Sequence, residues 1–120
     1  MPTPKPQQFA DEWVRAWNAH DAKALVAESP RLLVQLPGSD PSVALGPEQA
    51  AALLSDFMVQ GEEVETVVRA AREVETGRGY VELQRRYRVA GTQDVRQQAL
   101  LLGYKLGKDG WRLVELRVVG

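Results

Sequence analysis

The chain has 120 residues and a mass of 13.3 kDa, and 44% of its residues are hydrophobic and 26% charged; this fits one globular domain and leaves little room for a second. With no cysteine, thiolate catalysis, thiolate metal sites and disulfides are excluded, and one histidine leaves little for an imidazole-based metal site. Fifteen basic against sixteen acidic residues leave a net charge of −1, so no overall field draws the protein to nucleic acid or anionic lipid, and no apolar run approaches the roughly 20 residues that span a bilayer.

Met1 to Gln8 is polar and carries Pro2, Pro4 and Pro6, which fix φ and remove amide donors. It reads as a flexible lead-in to one domain over 9–120, with no signal peptide as it stands, and a cytoplasmic location is expected. From Phe9, the residues Trp13, Ala16, Trp17 and, after a break, Leu25 recur at the spacing of a buried helical stripe. Asp21 is placed to cap a second helix, Ala22 to Glu28, which Ser29-Pro30 stops. Arg31 to Leu36 reads as a short strand and Val43 to Leu45 as a brief return strand. Gly46-Pro47-Glu48 opens a third helix, with proline in a tolerated first-turn position and Ala50, Leu53, Leu54, Phe57 and Met58 on its apolar face; Gly61 ends it.

The remainder reads as four strands joined by hairpins. A two-residue turn at Gly77-Arg78 sets Ala70 opposite Arg85 and Val68 opposite Tyr87; a four-residue loop between Ala90 and Val95 sets Leu100 opposite Arg85 and Leu102 opposite Leu83. A three-residue loop over Lys108-Asp109-Gly110 pairs Leu102 with Leu116 and Tyr104 with Val114. Alternation then collects Val68, Val74, Val81, Leu83, Tyr87, Val89, Leu100, Leu102, Tyr104, Val114, Leu116 and Val118 on an inward face. The expected fold class is α+β, a curved antiparallel sheet wrapped around two to three N-terminal helices.

This order resembles the nuclear transport factor two-like superfamily, the cystatin-like cone shared with ketosteroid isomerase and polyketide-cyclase-like proteins. The resemblance rests on Trp13 to Leu25 (WVRAWNAHDAKAL), on the Gly46-Pro47-Glu48-Gln49-Ala50 helix opening and on the closing strand from Gly110 to Val118, and it covers nearly the whole chain. The layout also looks like small uncharacterised bacterial domains of that superfamily, from which no activity transfers.

Enzymes of that superfamily work inside the cone, so the polar residues that point inward are the test. On the register above these are Arg72, Arg85 and Gln98, with Thr66 at one end. Two guanidinium groups among apolar neighbours need counter-charge. Either an anionic ligand such as a carboxylate or phosphate supplies it, or helical acids such as Asp11, Glu12 or Asp56 do. A ligand-binding cluster of Trp17, Arg72, Arg85, Tyr87 and Gln98 is therefore the candidate site.

Proton-transfer members use a carboxylate base facing the pocket, and this inward register holds none; the resemblance to epoxide hydrolases has an inward arginine but lacks the flanking aspartates. His20, beside Asn18 and Asp21, reads as a group that meets the carbonyl dipole at a helix end. No nucleophile with a histidine partner, no phosphate-cradling glycine loop and no metal cluster is readable, so no catalytic residue, cofactor or metal is assigned.

On the opposite face, Leu101 and Leu113, rimmed by Arg86, Arg117 and Glu115, look like a homodimer interface with an apolar centre and polar rim. Members of the resembled superfamily commonly pair through this sheet. Arg85, Arg86 and Arg88 split between faces and make no nucleic-acid stripe. The expectation is a domain that holds a small organic ligand in the cone or serves as a dimeric assembly module; the alternative is a cofactor-free isomerase, cyclase or hydrolase of the same fold.

Overall fold

In a computed structural model of the protein, residues 6–27, 29–108 and 110–120 are described. Helix α1 (Pro6–Asn18) begins three residues before the expected Phe9, and the rest of the lead-in lies outside the described residues. It buries Ala10, Trp13 and Trp17. It ends in a Schellman turn, in which Asp21 N donates to Ala16 O and His20 N to Trp17 O, both at 2.9 Å. His20 occupies the left-handed position of that turn with φ 53°, a place glycine usually takes. Helix α2 (Ala22–Val26) is capped by Asp21, whose Oδ1 accepts from Ala24 N at 3.2 Å; it stops short of Glu28, which lies outside the described residues.

Strand β1 (Leu33–Gln35) is followed by an isolated bridge between Leu45 and Leu32, all that forms of the expected return strand. Helix α3 (Pro47–Met58) starts on proline, as its sequence predicts, and Gln49 Oε1 accepts from Gly46 N at 3.3 Å. The meander follows: β2 (Gly61–Glu75), β3 (Arg78–Val89), β4 (Val95–Gly107) and β5 (Gly110–Val119). The sheet order is β1-β5-β4-β3-β2, with β1 parallel to β5 and the other pairs antiparallel.

Alternation places Val81, Leu83, Leu100, Leu102, Leu116 and Val118 in one core with Trp17, Leu25, Val26, Leu54 and Met58 of the helices, as expected. The chain is an α+β cone with a curved five-stranded sheet, and its helices cover one face.

The registers differ from the turn-based reading in three places. Between β3 and β4 the pairing slides by two residues, so Leu100 faces Leu83 and Gln98 faces Arg85; an even slide keeps every side chain on its face. Between β4 and β5 only two residues separate Gly107 from Gly110, and an irregularity after Gly103 pairs Tyr104 with Leu113. Leu113 is therefore buried inward, and half-buried Val114 is displaced from the expected inward register.

The largest departure is in β2. It shifts register against β3 between Glu63 and Glu65, between Val68 and Ala70, and between Glu73 and Glu75. Each bulge moves one residue past its partner and reverses the faces beyond it. Thr66, rather than Ala70, stands opposite Arg85, and Glu63, rather than Val68, opposite Tyr87. Ala71, expected outside, stands opposite buried Val81, while Val74 is exposed and Arg72, opposite Tyr80, lies exposed on the outer face.

Candidate functional site

Arg85 stands in the middle of β3 on the inward face and is 1% exposed. Its Nε donates to both oxygens of Glu63, at 3.0 and 2.9 Å, and its Nη2 donates to Glu63 Oε1. Nη1 donates to Gln98 Oε1 at 2.8 Å. Three rings surround the guanidinium: its Cζ lies 4.2 Å from the centroid of Tyr87, 5.0 Å from Trp17 and 5.5 Å from Phe57. Trp17 stacks in turn on Trp13 at 5.2 Å.

The expected cluster is thus assembled in part. Trp17, Arg85, Tyr87 and Gln98 come together; Arg72 does not, because the bulges of β2 carry it to the other face. The counter-charge is neither a ligand nor a helical acid but Glu63 on the adjacent strand.

The register expected from the turns holds no inward carboxylate. Without the shift between Glu63 and Glu65, residue 64 would oppose Tyr87 and Glu63 would point outward. The signal available in sequence was weaker: the acidic run Glu62-Glu63 and Glu65 opposite the basic run Arg85-Arg86 and Arg88.

His20 also joins the cluster. Its backbone caps α1, as expected of a residue at that helix end, while its ring reaches β2 and places Nε2 3.2 Å from Glu63 Oε1. The side chain of Glu63 is 6% exposed and that of His20 32%, so the imidazole is the edge at which solvent meets the pair. Glu63 accepts from Arg85 on both oxygens and has His20 on one, so both of its oxygens are engaged within the protein.

Gly61 opens β2 against this cluster. A Cβ there would stand 2.7 Å from Tyr87 Cδ2 and 3.3 Å from Arg85 Nη2, so the absent side chain lets the strand approach the arginine. Beyond the cluster, a groove of about 790 Å³ runs between α2 and α3 from His20 to Ser55.

A depression of about 300 Å³ lies on the outer sheet face over Ala70, Leu101 and Gly103, edged by Arg72, Glu82 and Arg117. Among the described residues, no group of three His, Cys, Asp or Glu gathers as a metal site, and no helix is long and apolar enough to cross a membrane.

No family model matches the sequence, and no curated protein matches it. Solved structures do. A Thiobacillus denitrificans protein described as a calcium/calmodulin-dependent protein kinase type II association domain aligns over 98% of this chain and 97% of its own, with TM-score 0.75 and 16% identity. A domain of unknown function with a cystatin-like fold from Nostoc punctiforme aligns over 93% of this chain and 72% of its own, with TM-score 0.74 and 18% identity.

A ketosteroid isomerase-like protein from Erwinia carotovora atroseptica aligns over 93% and 90%, with TM-score 0.74 and 15% identity. At such identities the likeness is one of fold. Element order, sheet topology and these alignments agree that the chain has the cystatin-like α+β cone of nuclear transport factor two-like proteins.

Proposed function

We propose that the domain is a non-catalytic assembly module that pairs with a second copy of itself through the outer face of its sheet. The arrangement of that face carries the reading. Its centre is apolar and accessible, with Leu101 and Ala99 half-buried and Tyr80 and Val67 about two-fifths exposed at 41% and 39%. Leu113 leaves the expected interface, and Arg86, Arg117 and Glu115 remain at its rim.

Arg72 joins this face and, like Glu82, has no partner among the described residues. Unpaired charges of opposite sign on one patch suit an isologous contact, in which each Arg72 meets Glu82 of the partner subunit. Inside the cone, by contrast, Arg85 already has its carboxylate, so an anion would have to displace Glu63. The full-length likeness to a structure described as an association domain is in keeping with this reading.

The test is molar mass by sedimentation or light scattering: two chains for the unmodified protein and one for Leu101→Glu. A monomeric unmodified protein removes the reading.

The second reading, a cofactor-free isomerase, cyclase or hydrolase, draws on the contact between His20 and Glu63 at the solvent-facing edge of the cluster. It requires Glu63 or His20 to exchange protons with a substrate. Turnover in an isomerase or ester- and epoxide-hydrolysis screen that His20→Gln abolishes would install it in place of the first.

A further inference from the structure

We infer that two copies pair in one register: Leu101 of each enters the depression over Gly103 of the other, about a two-fold axis that crosses β4 between these residues. This rests on the pairing reading and goes beyond it by naming what the depression receives. Leu101 and Gly103 lie two residues apart on β4, about 7 Å along the strand, and both border the depression on the outer face. One supplies a half-buried side chain and the other a floor without one.

Gly103 shapes the depression. A glycine inside a strand weakens it and often marks a place where another group comes close. A Cβ at Gly103 would stand 3.2 Å from Glu115 Cβ and 3.5 Å from Tyr80 Cε1, so these two side chains wall the floor that the glycine leaves. The depression, of about 300 Å³, is large enough for a branched aliphatic side chain.

What else the axis brings together favours it over the alternatives. The outer face carries two rows across the strands, Glu82, Leu101 and Arg117 in one, and Arg72, Tyr80, Gly103 and Glu115 in the next. Two facing sheets turned about an axis across the strands exchange these rows strand by strand. Leu101 then lies over the partner's Gly103, Arg117 over the partner's Glu115, and Glu82 over the partner's Tyr80, beside the partner's Arg72. Each of these charges meets one of opposite sign, and the ion pair of Arg117 with Glu115 within each copy joins its counterpart in an alternating network.

An axis along the strands does less. It brings Glu82 to the partner's Arg117, but it sets Leu101 on Leu101 and Gly103 on Gly103, a collision beside a void. It also lays Arg72 over the partner's Leu33, which follows Glu115 in the row on β1.

Because the chain has no cysteine, introduced cysteines report the register directly. Glu82→Cys and Tyr80→Cys, both at exposed positions, are mixed and treated with a bifunctional thiol reagent of about 5 Å span, since stacked sheets lie about 10 Å apart. A mixture of Glu82→Cys with Arg117→Cys, and each chain alone, are treated in parallel. The first mixture is expected to link at least about tenfold faster than the second, and than Leu101→Cys by itself. Gly103→Leu fills the floor and is expected to raise the dimer's Kd roughly tenfold or more. Urea unfolding shows whether that variant keeps its fold, and the cysteine mixtures decide the register whether it does or not.

A dimeric protein in which the second mixture or Leu101→Cys links as fast as the first mixture, or in which folded Gly103→Leu pairs as tightly as the unmodified chain, would overturn the register and leave the pairing reading in place. An unmodified protein with the mass of one chain removes the pairing reading itself, and the register with it.

Discussion

Glu63 and Arg85 show how a buried charge is made tolerable one group at a time. The carboxylate takes guanidinium hydrogens on both oxygens, Gln98 takes another, and three aromatic rings occupy the remaining approaches. Removing one partner strands the other. Glu63→Gln is therefore expected to destabilise the fold by about 3–5 kcal/mol, whereas Glu63→Gln with Arg85→Met, which removes both charges, should recover most of that loss.

Urea unfolding of the two variants checks this, and a double variant no more stable than the single would mean that packing, not charge, dominates. Arg85's need for a counter-charge was legible from its place among alternating apolar residues. The identity of that counter-charge was not, because Glu63 lies 22 residues away on a strand whose phase depends on a bulge. His20 was legible as a helix-end residue from Asn18 and Asp21 beside it, but its left-handed φ, which turns the ring toward β2, was not.

At the scale of elements, legibility follows how local the determining physics is. The caps and proline starts of α2 and α3 lie within a few residues of what they fix, and the structure has them where the sequence puts them. The faces of β3 and β4 were legible because no irregularity interrupts their pairing, so even a two-residue slide preserved them.

β2 was not legible in this way. Its three shifts change the phase of a 15-residue strand against its neighbour, and no turn residue announces them. The opening of β2 offers a direct test. Gly61→Ala places a methyl group within 2.7 Å of the Tyr87 ring, an overpacking expected to cost about 1–3 kcal/mol. In a Tyr87→Leu background the same change should cost distinctly less, since the clashing atom is gone. Equal costs in both backgrounds would place the strain in the strand's own backbone instead.

Over the whole molecule, the shift between Glu63 and Glu65 brings Glu63 inward and the one between Val68 and Ala70 carries Arg72 outward, so one irregular strand decides both what closes the cone and what the outer face presents. In an isologous pair every contact occurs twice, and a charge reversal counts twice. Arg72→Glu sets two glutamates against each other at both ends of the axis and should raise the dimer's Kd by roughly tenfold or more; Glu82→Arg should do the same with two arginines.

Combining the two reversals rebuilds the opposite-charge contact with its polarity exchanged, and the Kd is expected to return to within a few-fold of the unmodified protein. Both side chains are exposed and have no partner among the described residues, so the folded monomer should tolerate all three variants with little change in urea midpoint. Sedimentation over a concentration series measures the three constants. Additive loss in the double variant would show that Arg72 and Glu82 do not meet across the axis, and would leave Leu101 and Tyr80 as the centre of any pairing surface.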